Sequence, residues 1–125
     1  MVLDTNALSA FADDAPAAVS AISHATELLL PVIVLGEFRY GITHSTRRRE
    51  YEEWLEQLLP ACRVLEITRR TSVWYADIRS ELRRAGKPIP ANDAWIAALC
   101  REHNSALLSR DTHFDAVSGL RRLTW

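Results

Sequence analysis

The stretch Met1–Ser9, MVLDTNALS, decides the fold. Its apolar start reads as a short buried strand over residues 1–4, and that strand stops on a carboxylate, Asp4. Two readings of Asp4 follow. Aspartate is a favoured helix N-cap, because its side-chain oxygen accepts a backbone N–H left orphaned at the helix start. A carboxylate at the carboxyl end of a strand also lies where open α/β sheets bind their ligands. The remainder of the chain decides between a cap and a chemical group.

Outward from this strand, apolar runs alternate with helical patterns. Residues 16–26, PAAVSAISHAT, fit a helix with Pro16 in its first turn. LLL at 28–30 reads as a buried strand, and Pro31 opens a helix to about Ile42 with Val34, Phe38 and Ile42 on one stripe. Gly36 and Gly41 inside it point to a close backbone approach or an early end. Residues 46–59 form a charged helix whose apolar side is Tyr51, Trp54, Leu55, Leu58 and Leu59, stopped by Pro60. CRVLEI at 62–67 alternates like a strand. The run 71–86 is a long helix closed by Gly86, 93–103 is a helix, SALLS at 105–109 a strand, and LRRLTW at 120–125 a short edge strand. Strands separated by helices imply parallel pairing, since parallel neighbours need crossovers.

The chain has 125 residues, 48% of them hydrophobic, enough for one domain over residues 1–125 with a core that needs no staples. Cys62 and Cys100 lack ligand-like spacing and read as buried thiols in a reducing compartment. No signal-peptide pattern is visible and no apolar run approaches the roughly 20 residues of a membrane span, so a soluble cytoplasmic protein without a membrane partner is expected. The net charge of −1 decides nothing about nucleic acid, but fourteen of the fifteen basic residues are arginine, clustered at 47–49, 69–70, 83–84 and 121–122. Arginine grips phosphate bidentately. There is no G-x-x-x-x-G-K-S/T and no G-x-G-x-x-G, which removes the phosphate-cradling loops from consideration. Ser9 and Ser109 have no histidine at a suggestive spacing, and the four histidines have no cysteine partners, so neither a serine hydrolase nor a zinc site is indicated.

Four acids stand out. Asp4 ends the first strand, Asp111 follows the fourth, Asp93 lies in the first turn of a helix, and Glu37 sits beside an apolar helical stripe. Each has a plain alternative: a cap, a turn, or a carboxylate favoured by the helix dipole. Their conjunction at ends that a parallel sheet would gather is what carries weight.

The segments VLDTNALS (2–9), GEFRYG (36–41), PIPANDAWIAA (88–98) and LLSRDTHF (107–114) resemble, in order and spacing, the four motif regions of the PIN-domain ribonucleases, and more narrowly the VapC toxins of toxin–antitoxin pairs. The resemblance implies a three-layer α/β/α fold around a small, mainly parallel sheet of four to five strands. It implies an acidic catalytic quartet of Asp4, Glu37, Asp93 and Asp111, with Asp4, Asp93 and Asp111 as metal ligands. Asn6, Asn92, Ser109 and His113 are then supporting residues. His113 stands where many relatives carry a fifth acid. The family also implies a homodimer, an antitoxin whose tail blocks the site, and RNA as substrate.

Four carboxylates in one pocket repel one another, and a hard cation, Mg²⁺ or Mn²⁺, removes the conflict. The expected activity is therefore a metal-dependent endoribonuclease, a divalent ion activating water for in-line attack on phosphorus. Arg39 and Arg110 are the candidates to hold RNA, and Trp95 and Phe114 could stack on bases. The region from Val34 to Leu59 is expected to meet a second copy and the antitoxin. The alternative is a degenerate PIN domain that only binds RNA or protein. An aspartyl phosphatase is a weaker rival, because Asn6 stands where its second aspartate belongs.

Overall fold

A computed structural model describes all 125 residues. Five strands, β1 (Val2–Leu3), β2 (Leu28–Pro31), β3 (Cys62–Leu65), β4 (Leu107–Leu108) and β5 (Arg122–Leu123), form one sheet in the order β3-β2-β1-β4-β5 with every pair parallel. Six helices connect them: α1 (Thr5–Ala12), α2 (Pro16–Ser23), α3 (Val32–Ile42), α4 (Arg48–Leu58), α5 (Arg69–Arg84) and α6 (Ala91–Glu102). The strand order runs outward from β1 to β3 and then returns to β4. Right-handed crossovers therefore place α1–α4 on one face and α5 and α6 on the other. The contacts agree, for α1 packs with α2, α3 and α4, and α5 packs most heavily on α6. No helix is long and apolar enough to cross a membrane.

The centre of the sheet is apolar because both of its faces are covered. Val2, Leu3, Leu30, Leu107 and Leu108 are fully buried within a core of 23 residues that also takes Val34, Phe38 and Ile42 from α3 and Leu99 and Cys100 from α6. Cys100 is a packed thiol, as expected, while Cys62 on the edge strand β3 is only half-buried.

Several sequence expectations shift by a few residues. The first element after Asp4 is a full helix, α1, which the pattern of apolar residues does not announce. Pro31 closes β2 rather than opening α3, its fixed φ of −59° delivering the chain into the helix. The expected strand 105–109 contracts to two residues, and α5 starts at Arg69 because Thr68 and Thr71 form a reciprocal cap, with Thr71 Oγ1 accepting from Thr68 N at 3.0 Å. Gly36 and Gly41 mark neither a close approach nor an early end. Nothing lies within 4 Å of the place a Cβ would occupy, and α3 runs on to Ile42.

The apolar side of α4 is directed into the chain's own core. Leu55 is fully buried, and Trp54 meets the rings of Phe11 at 5.5 Å and Phe38 at 5.9 Å. Its outer side is laced by Arg48–Glu52 and Arg49–Glu53 pairs one turn apart. Leu55→Ala is expected to cost about 3 kcal/mol and lower the melting temperature by roughly 10 °C, because the helix has no other wholly buried anchor. Calorimetry or thermal circular dichroism measures it.

Candidate active site

The strand order reverses between β1 and β4, and the crevice beyond the strand ends at such a switch point is the ligand site of open α/β sheets. Register fixes what sits there. Leu3 pairs with Leu108, so the next residues, Asp4 and Ser109, emerge side by side. Both are buried. Ser109 Oγ donates to Asp4 Oδ2 at 2.6 Å and accepts the backbone N–H of Asp111 at 2.9 Å. Asn6 Nδ2 donates to the same Asp4 oxygen at 3.1 Å, and Asn6 Oδ1 accepts from Arg110 N at 3.2 Å. Asp4 Oδ1 meanwhile accepts from Thr5 N at 2.8 Å. Cap and chemical group are therefore one residue: one oxygen starts α1 and the other joins the site.

Glu37 comes from α3, on the far side of Asp4. Thr5 Oγ1 donates to its Oε2 at 2.8 Å and Asn92 Nδ2 to its Oε1 at 3.2 Å. Asn92 is thus the tie between Glu37 and the third acid, its neighbour in the first turn of α6. Thr5, outside the set the sequence predicts, joins the site by holding Glu37. Its place between Asp4 and Asn6 was the available signal.

Asp93, Asp111 and His113 are the tightest set. One ligand atom from each lies within 4.8 Å of the others. His113 Nδ1 is 3.1 Å from Asp111 Oδ1 and 3.4 Å from Asp93 Oδ2. A turn holds it there, with Asp111 Oδ1 accepting from His113 N at 2.9 Å. The imidazole therefore enters the acid cluster directly. Asp115 does not join it: both of its oxygens are held by Arg122, at 2.8 and 2.9 Å.

The electrostatics register the crowding. Burial, and then the charges of Asp111 and Asp4, push the Asp93 carboxyl up to about 6, against an opposing pull from His113. Burial also raises Asp4, assisted by Glu37 and Asp111, although the Ser109 and Thr5 hydrogen bonds favour its ionised form. Asp93 sits in the first turn of α6, where the helix dipole stabilises a carboxylate. Desolvation and like charge outweigh it. Such a set favours a bound cation. Its donors are carboxylate oxygens with a single imidazole nitrogen, which fits a hard divalent ion.

The residues assigned to RNA contact fare differently. Arg39 is in an ion pair with Glu56 at 3.4 Å and shares its surroundings with Glu52 and Glu53. Arg110 lies over the Trp125 ring at 4.6 Å and donates twice to the Trp125 carbonyl. Phe114 is fully buried and offers no face to a base. Trp95 is stacked on Tyr75 at 3.8 Å.

Comparison with known proteins identifies the family. The family model of the PIN domain matches residues 1–120. The VapC ribonuclease Y4jK of Sinorhizobium fredii is 33% identical over 130 aligned positions, covering 96% of this chain and 93% of that protein. The toxin FitB of Neisseria gonorrhoeae is 34% identical over 92 residues, 69% of this chain and 66% of FitB. Among solved structures, FitAB bound to a DNA fragment superposes with a TM-score of 0.87 at 28% identity, covering 98% of this chain and 93% of that one. VapBC2 of Rickettsia felis, with a TM-score of 0.88 at 22% identity and 99% and 97% coverage, shares the fold. A parallel five-stranded sheet, an acid cluster at its switch point and a family match across nearly the whole length converge, and the chain belongs to the PIN domain family, in its VapC branch.

Proposed function

We propose that the chain is a divalent-metal-dependent endoribonuclease, the toxin of a toxin–antitoxin pair. The observation that carries this reading is the gathering of Asp4, Glu37, Asp93 and Asp111 from four separate segments onto one crevice, where burial, and then the charges of the neighbouring acids, raise the carboxyls of Asp4 and Asp93. Its ribonuclease relatives in the VapC branch support the substrate class.

Asp93, Asp111 and His113 would hold the ion, Mg²⁺ or Mn²⁺, with Asp4 as a further ligand. When bound, the ion supplies Lewis-acid polarisation of the phosphate and acidifies water. The chain's own residues do the remainder. Ser109 and Asn6 fix the Asp4 carboxylate in one orientation. Thr5 and Asn92 fix Glu37, whose remaining lone pairs orient the attacking water and take its proton. Water adds to phosphorus as the bond to the leaving ribose oxygen breaks; that oxygen takes a proton from solvent, and Glu37 returns the proton it accepted to solvent. The water-positioning role of Glu37 follows from its being held by two neutral donors rather than by the acid cluster.

An antitoxin partner is the reading supported by the toxin name of FitB. Homodimerisation through the region from Val34 to Leu59 belongs to the same proposal. Because Trp54 packs on Phe11 and Phe38, that contact is better probed at Tyr40, the most exposed large apolar residue of the region, at 79%. Retained dimerisation and antitoxin affinity in Tyr40→Glu would contradict this placement.

Two experiments test the function. A short pulse of expression followed by mapping of RNA ends is expected to show new ends with the wild type and none with Asp111→Asn; identical maps would contradict cleavage. Calorimetric titration with Mn²⁺ is expected to show His113→Ala binding about 10–100-fold more weakly and His113→Asp restoring affinity. Equal affinity in all three would remove His113 from the ligand set.

A further inference from the structure

The acid cluster repels the phosphates that it is proposed to cleave, so RNA must be held by cations elsewhere. The run 47–49, Arg39, Arg63, Arg101 and Arg122 are each matched with a carboxylate. The densest unmatched set is at the end of α5 and in the turn that follows it: Arg79, Arg83, Arg84 and Lys87. None of the four is in an ion pair, and the one carboxylate among them, Glu81, is held bidentately by Arg101 at 3.0 and 3.2 Å.

These cations do not lie on a featureless surface. Arg79, Ser80, Leu82 and Arg83 from α5 and Pro88 and Ile89 from the turn line a cleft of about 490 Å³ that contains none of the four acids. Arg79 is pre-oriented, donating to Tyr75 Oη at 2.8 Å with its guanidinium over that ring at 5.6 Å. Arg84 braces the cleft by donating to Ser80 Oγ at 2.7 Å. Tyr75 in turn stacks on Trp95 of α6. Ile89 is three residues from Asn92, the residue that holds Glu37, so the two Cα atoms are at most about 11 Å apart even with the chain fully extended. The cleft and the acid cluster are therefore neighbours along one short stretch of backbone.

We infer that the cleft between α5 and the 85–90 turn, lined by Arg79 and Arg83, binds the phosphodiester backbone of single-stranded RNA a few nucleotides from the scissile bond. Arginines in a groove that tracks the backbone are the means by which single strands are held without sequence readout. The inference rests on the ribonuclease reading for the identity of the scissile bond. It does not need cleavage to be tested.

In the Asp4→Asn background, which prevents turnover, fluorescence anisotropy with a labelled single-stranded RNA compares the chain with and without Arg79→Glu and Arg83→Glu. Arg79→Gln with Arg83→Gln, which changes the net charge by the same amount as the control Arg63→Glu on β3, serves if charge reversal impairs folding. The expected result is at least a tenfold loss of affinity at low salt in both cleft variants and none in the control. With both arginines replaced, the slope of log affinity against log salt should fall by about 1.4, two phosphate contacts at about 0.7 each. In the Asp4-intact protein the same changes should raise KM for a long RNA while leaving cleavage of a dinucleotide unaltered. Unchanged affinity and slope would overturn the inference, as would a loss of the dimer by sedimentation in place of a loss of RNA, since the face would then be an interface between copies. A chain that binds RNA through Arg79 and Arg83 but never cuts it would contradict the ribonuclease reading and leave the cleft standing.

Discussion

Asp4→Asn is expected to lower RNA cleavage by at least about 100-fold, the upper edge of the loss seen when only an outer partner of a metal site is removed, while the protein stays folded. Two effects on stability oppose each other. The substitution removes a carboxylate whose ionised form is penalised by burial and by Glu37 and Asp111. It also sets the new amide against Asn6 Nδ2, which now donates to Asp4 Oδ2 at 3.1 Å. Asn Oδ1 can still accept from Thr5 N, so the cap of α1 survives. A melting temperature within a few degrees of wild type, alongside the lost activity, is the expected pair of results. A large drop in melting temperature would place Asp4 chiefly in the scaffold.

Asp93→Asn is expected to stabilise the metal-free protein at neutral pH while abolishing cleavage. The unfolded chain releases the Asp93 proton near 3.8 and the folded chain near about 6. A raised carboxyl pKa means that the folded state binds more protons between these values, so stability falls as pH rises through the window and the penalty is complete above it. Asparagine removes the penalty. The gain in the presence of EDTA should be about 2 kcal/mol at pH 7.5, less than the roughly 3 kcal/mol of a two-unit shift on a fully buried group, and should vanish near pH 4. Saturating Mn²⁺ should reverse the order, because a ligand at about 100 times its Kd stabilises only the protein that binds it, by about 2.7 kcal/mol. Urea denaturation at both pH values measures this. A variant no more stable than wild type at pH 7.5 would mean that burial and the neighbouring acids do not penalise the Asp93 carboxylate.

The gathering of the acids was legible because strand ends are legible. Leu3 and Leu108 stop apolar runs, and the residues after them fall at the switch point of strand order whatever the exact strand length. Glu37 and Asp93 were legible as carboxylates at odds with, or at the start of, helical stripes. What the letters withheld depends on side-chain rotamers and on distant partners. Thr5 reaches Glu37 and His113 turns inward between Asp93 and Asp111 only once α1 and the 112–116 turn are formed. Arg39 looked available beside Glu37, yet two residues along a helix point away from each other, and Glu56 takes it. The sequence marked only the 83–84 pair as a cluster; Arg79, one turn before Arg83 on α5, joins it in a cleft only because the 85–90 turn folds beside them.

The most direct measurement is the cleavage of a defined single-stranded RNA by the purified protein in EDTA, followed by re-addition of Mn²⁺ or Mg²⁺, for the wild type and for Asp4→Asn. No cleavage in EDTA, recovery on adding the ion, and no recovery in Asp4→Asn are the expected results. Cleavage that persists in the chelator, or that is equal in the two proteins, would contradict metal-dependent cleavage at this site.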